Sequence, residues 1–194
     1  CTSDDDQILD LVKKKYSSSI LAVRRKPELS DDKAILSDVI FDCIYKLAER
    51  HVIRLDDYLA GSFILLQPTS PIRLKGDLVS FCKQIKYLGR GFSMVSVNKN
   101  YREVKDIYEI IKFSDEKSDF LLGHIGKKLF KVRDTKKDSN SAFVDGSLYL
   151  GLMSMLKEKG FMPAAKTLAF PLSIKRSIDI DTKEEFDDAL VLIK

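Results

Sequence analysis

Asp179 and Asp181 alternate with Ile178 and Ile180. In an extended segment both carboxylates point one way and both isoleucines the other. Two carboxylates on one face offer oxygen ligands to a hard cation such as magnesium (Mg2+). The same residues fit a helix start, because Thr182-Lys183-Glu184-Glu185 has the spacing of a capping box and an acid ahead of it suits the helix dipole. Metal ligand and helix cap are both open readings at this point.

A second stretch is Ile64-Leu65-Leu66-Gln67-Pro68-Thr69-Ser70-Pro71-Ile72-Arg73. The apolar run is short and uncharged, as in a strand covered on both faces. The two prolines forbid both helix and ladder across the turn. Gln67, Thr69, Ser70 and Arg73 are therefore expected on a stiff loop at the carboxyl end of a buried strand, where open α/β sheets bind ligands. A plain strand-turn-helix corner with Ser70 as the cap is the alternative. His51 and His124 have no partner at ligand spacing, and no Ser-His-Asp or Cys-His arrangement can be drawn.

These groups need a scaffold, and composition bounds it. The 194 residues are 44% hydrophobic and 32% charged, a globular mix that can close a core in one domain. A net charge of +4, from 33 basic and 29 acidic residues spread along the chain, argues against nucleic acid as a partner. Cys1, Cys43 and Cys82 are far apart with no CxxC pair, and read as reduced thiols of a cytoplasmic protein. No apolar run approaches the ~20 residues of a membrane span, and no signal peptide is visible.

Periodicity places the elements. Ser3 or Asp4 caps a first helix with no strand before it. Its apolar face is Ile8, Leu11 and Val12, and it ends in Lys13-Lys14-Lys15. Ser19 to Val23 reads as a short strand. Ile35, Val39, Ile40, Cys43, Ile44 and Leu47 predict a helix from about Lys33 to Arg50. Phe63 to Leu66, Leu74 to Tyr87 and Phe92 to Val97 read as strand, helix and strand. The α-β-α-β-α-β order implies a helix-covered, mostly parallel sheet. From residue 98 to 140 the pattern breaks into a charged, patchily apolar stretch. Ile107 to Ile111 and Leu129 to Val132 look like exposed strands there, so a protruding arm that pairs with a second subunit is expected. Asp145-Gly146 carries a sharp turn signal ahead of an apolar run. A helix from Leu152 to Lys159, a strand from Thr167 to Phe170 and a final helix after Thr182 complete the order.

Leu65 to Arg73 closely resembles the Leu-Leu-Gln-Pro-Thr-Ser-Pro-Leu-Arg signature of the acylneuraminate cytidylyltransferases. This is the CMP-sialic acid synthetase family, with the CMP-Kdo synthetases as relatives. Ser177-Ile178-Asp179-Ile180-Asp181-Thr182 before an acidic helix is a second match. Arg25-Lys26-Pro27-Glu28-Leu29-Ser30-Asp31-Asp32 resembles the family's Arg-Pro-x-Glu-Leu-Ser-x-Asp loop with one basic residue inserted. Asp145-Gly146-Ser147-Leu148-Tyr149 resembles Asn-Gly-Ala-Ile-Tyr.

The resemblance implies a three-layer α/β fold of the nucleotide-diphospho-sugar transferase kind with a dimerisation arm, and a homodimer. It implies transfer of CMP from CTP to a nonulosonic, sialic-type acid, with release of pyrophosphate. Asp179 and Asp181 would hold magnesium. Gln67 and Tyr149 would hold the sugar, with Asp145 beside it. Arg25 would contact the nucleotide, with Arg24 as alternate. Lys105 would reach the partner subunit's site, although the family's His-His-Pro before it is here Tyr101-Arg102-Glu103. Arg133, Lys136 and Lys137 fall in a basic substrate-facing region, and Phe161-Met162 resembles an apolar pair flanking the sugar.

One part of the family pattern has no counterpart. The basic, glycine-rich nucleotide loop, Ala-Arg-x-x-Ser-Lys-Gly with a later Lys-Asn, does not occur. Cys1-Thr2-Ser3-Asp4-Asp5 already resembles the Ser-Thr-Asp-Asp that normally follows it. The N-terminal strand and phosphate loop of the family are therefore expected to be absent, and these residues alone are expected not to form CMP-sugar. A truncated, non-catalytic relative that binds a sugar acid or a partner protein, and a CMP-Kdo synthetase-like enzyme, are the alternative readings.

Overall fold

The computed structural model describes residues 1–16, 18–31, 33–87, 93–98, 107–112, 123–129, 141–159, 167–172 and 178–193. In chain order the first elements are β1 (Thr2–Ser3), α1 (Asp6–Tyr16), β2 (Val23–Arg24), α2 (Leu36–Glu49), α3 (Leu55–Leu59), β3 (Ser62–Leu65) and α4 (Lys75–Lys83). Then come β4 (Ser93–Asn98), β5 (Ile107–Lys112), β6 (Gly123–Leu129), β7 (Ser141–Leu152), α5 (Met153–Lys159), β8 (Thr167–Pro171) and α6 (Lys183–Ile193). They fall into two compact units, Cys1–Ser62 with Met153–Phe161, and Phe63–Leu152 with Met162–Lys194.

In the first unit β1 pairs with β2 in parallel, Thr2 opposite Val23. A parallel pair needs a crossover, and α1 supplies it. The two-residue strand ahead of α1 forms because β2 offers ladder partners: Val23 N–H donates to Cys1 O at 2.9 Å and Arg25 N–H to Ser3 O at 2.8 Å. The cap of α1 is Asp5, whose Oδ1 accepts from the amide of Gln7 at 2.7 Å and of Ile8 at 3.3 Å. Ser3, expected as a cap, instead accepts the Asp5 amide at 3.1 Å. The buried face of α1 centres on Leu9, while Ile8 and Leu11 are about half exposed (46% and 50%). Helix α2 lies within the expected span and buries Val39 and Ile44. Lys46 donates to Arg24 O at 2.8 Å and to Asp42 at 2.7 Å, which ties α2 to β2. The Met153 amide of α5 donates to Gly61 O at 3.0 Å.

In the second unit six strands run in the order β3-β7-β4-β8-β6-β5, and β5 pairs with β7 as well. Strand β4 is parallel to β8 and antiparallel to β7. Strand β5 is antiparallel to β6 and β7, and β6 to β8. The sheet is mixed, where the element order implied a mostly parallel one. The causes are β7, which enters between β3 and β4 and runs against β4, and β6, which runs against both β8 and β5. Periodicity inside one segment says nothing of its neighbours' direction. The break after residue 98 supplies two strands, β5 and β6, to this sheet; β6 spans Gly123–Leu129, and of the strand expected from Leu129 to Val132, residues 130–132 lie outside the described residues.

Every residue of β4 is buried, its apolar residues Met94, Val95 and Val97 as well as its polar Ser93, Ser96 and Asn98. On one face Phe81 of α4 packs with Met94, Leu148, Leu150, Leu168 and Phe170. The Phe81 and Phe170 rings meet edge-on, centroids 5.2 Å apart. On the other, Val95, Val97 and Ala169 pack with Val144 and Tyr149. Strand β3 presses on β7 so closely that a β-carbon on Gly151 would stand 2.8 Å from the Phe63 ring.

Candidate functional site

The site grows from a fault in the β4–β7 ladder. Met94 lies opposite Leu150 and Val95 opposite Tyr149, but Val97 lies opposite Val144. Asp145, Gly146, Ser147 and Leu148 therefore face Ser96 alone. Extra residues on one strand leave the ladder and bend it. The Asp-Gly pair, expected as a turn, is this bulge inside a single strand. The signal was correct at the level of the backbone, since Gly146 has φ +77°, a conformation that suits glycine.

Buried serines and one acid organise the bulge. Ser96 Oγ accepts the Leu148 amide at 2.8 Å and donates to Asp145 Oδ1. The same Oδ1 accepts the Ser147 amide at 3.0 Å. Asp145 is 2% exposed and Ser96 fully buried, so these bonds stand in for water and for the missing ladder partners.

The Gln67 turn docks on the bulge through Arg73. The guanidinium donates to Ser147 O at 2.9 Å through Nε, and to Gln67 O through Nη2. Burial lowers the Arg73 pKa, and the charge of Asp145 raises it again. This arginine ties two backbone segments together. Segment 178–181 docks on the same turn, the Ile180 amide donating to Thr69 O at 2.8 Å. Ser70 is fully buried and caps no helix; α4 begins at Lys75, and Asp77 accepts the Leu74 amide at 3.2 Å.

Three side chains from two segments, the Gln67 turn and residues 178–181, thereby converge over Gly146. A β-carbon there would stand 3.0 Å from Ser70 Oγ, 3.1 Å from Gln67 Oε1 and 3.4 Å from Asp179 Oδ2. Ser70 Oγ lies 3.3 Å from Asp145 O and 3.4 Å from Asp179 Oδ1. Both contacts are long for a hydroxyl donor and leave its partners room to accept a third group. An amide, a hydroxyl and a carboxylate together offer donors and acceptors to a polyhydroxylated ligand.

The other sequence candidates are placed as follows. Asp181 is exposed, and its carboxylate makes no hydrogen bond or ion pair among the described residues. Its amide and that of Thr182 both donate to Glu185 Oε2, at 2.9 and 2.8 Å, while Thr182 Oγ1 accepts the Glu185 amide at 3.2 Å. The capping box is thus formed, and it engages neither the Asp179 nor the Asp181 carboxylate. Exposed Asp179 and Asp181 flank half-buried Ile180, the alternation of an extended segment. Asp145 turns its carboxylate under the bulge towards Ser96. Tyr149 is half-buried against the Val95 cluster. Arg25 belongs to the first unit, where Nη2 donates to Thr2 O at 2.8 Å and Nε is buried with no hydrogen-bond partner among the described residues. Arg24 pairs with Asp6. Lys105, Arg133, Lys136, Lys137, Phe161 and Met162 lie outside the described residues.

Ser70 was expected on the ligand-facing turn, with a helix cap as its alternative, while Ser96 escaped sequence reasoning. The signal for Ser96 was a lone hydroxyl in the buried run Met94-Val95-Ser96-Val97, which demands a partner. No helix among the described residues is long and apolar enough to cross a membrane. Compared with protein-family models and with curated proteins, the chain matches none.

Proposed function

We propose that this chain carries the sugar-acid side of a cytidylyltransferase site, in which the anomeric hydroxyl of a nonulosonic acid attacks the α-phosphate of CTP to give CMP-sugar and pyrophosphate. The observation that carries this reading is the meeting of Gln67, Ser70 and Asp179 over Gly146. The motif resemblance supports it, because the two best-matched motifs are the ones brought together. Half-buried Gln67 binds and orients hydroxyl groups of the sugar, fully buried Ser70 braces the turn beneath it, and Gly146 lets these side chains close on the backbone. A homodimer with a cytoplasmic location belongs to the same reading.

Among the described residues no group of three or more His, Cys, Asp or Glu side chains gathers to enclose an ion. Magnesium does not require one, since it is commonly held by one or two carboxylates and the substrate's phosphates. Asp179 and Asp181, both exposed and two residues apart, fit that role. Bound there with CTP, the ion would supply charge neutralisation at the α-phosphate and the leaving pyrophosphate.

These 194 residues contain no basic, glycine-rich loop, and a second reading of them is a non-catalytic relative that binds the sugar acid alone. Calorimetric titration with sialic, legionaminic, pseudaminic and Kdo acids tests what the two share. One acid should bind, and Gln67→Ala should weaken it about tenfold, the worth of one well-made hydrogen bond to a charged or polar ligand. No binding by any of the four refutes both. Titration with CTP and magnesium then separates them, since only the first predicts nucleotide binding. CMP-sugar formation by these residues alone is not expected.

A further inference from the structure

We propose that Ser96 is the positioning residue of this site, acting through Asp145 and the Leu148 amide without touching ligand. The bulge takes Ser147 and Leu148 out of register with β4, so their buried amides need other acceptors. Asp145 Oδ1 takes the first at 3.0 Å and Ser96 Oγ the second at 2.8 Å. Ser96 then spends its single proton on Asp145 Oδ1. One hydroxyl thus fixes both the carboxylate and the return of the strand to the ladder.

The geometry carries this hold to the ligand-facing side. Asp145 has its carboxylate on Ser96 and its carbonyl 3.3 Å from Ser70 Oγ. Gly146, next in the chain, is the point on which Gln67, Ser70 and Asp179 converge. Ser147 O accepts Arg73, which also holds Gln67 O. If Ser96 loses its hydroxyl, two buried groups lose a partner and the bulge resettles. Gly146 then moves relative to all three side chains. Asp145 is by the same logic a brace of the bulge, and not a contact for the sugar.

The test is residue-resolved amide exchange by NMR on wild type, Ser96→Ala and Ser96→Thr. In Ser96→Ala the Ser147 and Leu148 amides should exchange about tenfold faster or more, while those of Val95 and Leu150 keep wild-type protection. Ser96→Thr, which keeps the hydroxyl, should restore both amides. Unchanged exchange at Ser147 and Leu148 overturns the proposal. So does a uniform rise that includes Val95 and Leu150, which would make Ser96 a general packing element. Should Ser96→Ala fail to fold, Ser96→Cys repeats the comparison with a side chain of similar place but much weaker donor and acceptor. The ligand arm rests on the function proposed above: affinity for whichever nonulosonic acid binds wild type should fall about tenfold in Ser96→Ala and recover in Ser96→Thr. If wild type binds none of those acids, the function falls while the exchange result still decides the role of Ser96.

Discussion

Replacing Gly146 by alanine perturbs the backbone and the site at once, and the two effects can be sized separately. At φ +77° an L-residue is strained by about 1–2 kcal/mol. Loss of glycine's freedom in the unfolded chain returns about 0.4–1 kcal/mol. The new methyl would lie 3.0 Å from Ser70 Oγ and 3.1 Å from Gln67 Oε1, tighter than ordinary contact, so both side chains must give way. Crowding of this kind costs about 1–3 kcal/mol. The net loss is about 1–4.6 kcal/mol, which at a urea slope of about 2 kcal/mol per M moves the midpoint down by about 0.5–2.3 M. Urea unfolding followed by far-UV circular dichroism measures this, with sugar-acid titration of the folded variant alongside. Affinity should fall in step with the displacement of Gln67. A variant as stable as wild type, with unchanged affinity, would refute the idea that Gly146 is the floor on which the three side chains meet.

Other outcomes follow from the same geometry. Phe81→Ala empties the centre of the larger apolar cluster and should cost about 3–5 kcal/mol, read as a fall in Tm of roughly 6–20 °C. Thr182→Ala removes the cap of α6 and should cost about 0.5–2 kcal/mol in denaturant unfolding. Asp181→Asn should leave that stability unchanged, yet reduce any magnesium-dependent gain in CTP affinity measured by calorimetry. Burial raises the Cys43 thiol pKa above 9.0, with Asp42 adding and the Cys1 amine, Lys46 and Arg25 opposing. Its alkylation at pH 8, followed by peptide mapping, should be slower than that of a free cysteine. Because the folded thiol holds its proton more tightly, its contribution to stability is complete below pH 9.0 and is lost as pH rises through the folded value.

The sequence was legible where local chemistry decides the outcome. The extent of α2 followed from apolar spacing, the turn at Gln67 from its prolines, and the start of α6 from its capping box. The positive φ at Gly146 followed from Asp-Gly. It was illegible where a distant partner decides. Whether Asp-Gly closes a hairpin or swells a strand depends on β4, and only Ser96 distinguishes the two. Ser70 reads as a helix cap in isolation, yet its hydroxyl faces residues 145 and 179. The buried side of α1 was set by what covers Leu9, not by the more regular Ile8-Leu11-Val12 stripe. The direction of β7 left no mark in its own residues, so the mixed sheet could not be read from element order.

The two segments that meet over Gly146 also fix when the cluster can exist during synthesis. Ser70 and Asp179 are 109 positions apart, and the Arg73 clasp joins residues separated by 74. A ribosome that has released only as far as β8 has made the floor and two walls, but no carboxylate to close them. Contacts of such long range form slowly, after local helices are in place. Formation of the Gly146 cluster therefore reports that nearly the whole second unit has come together, and it is a stricter witness of correct folding than helix content.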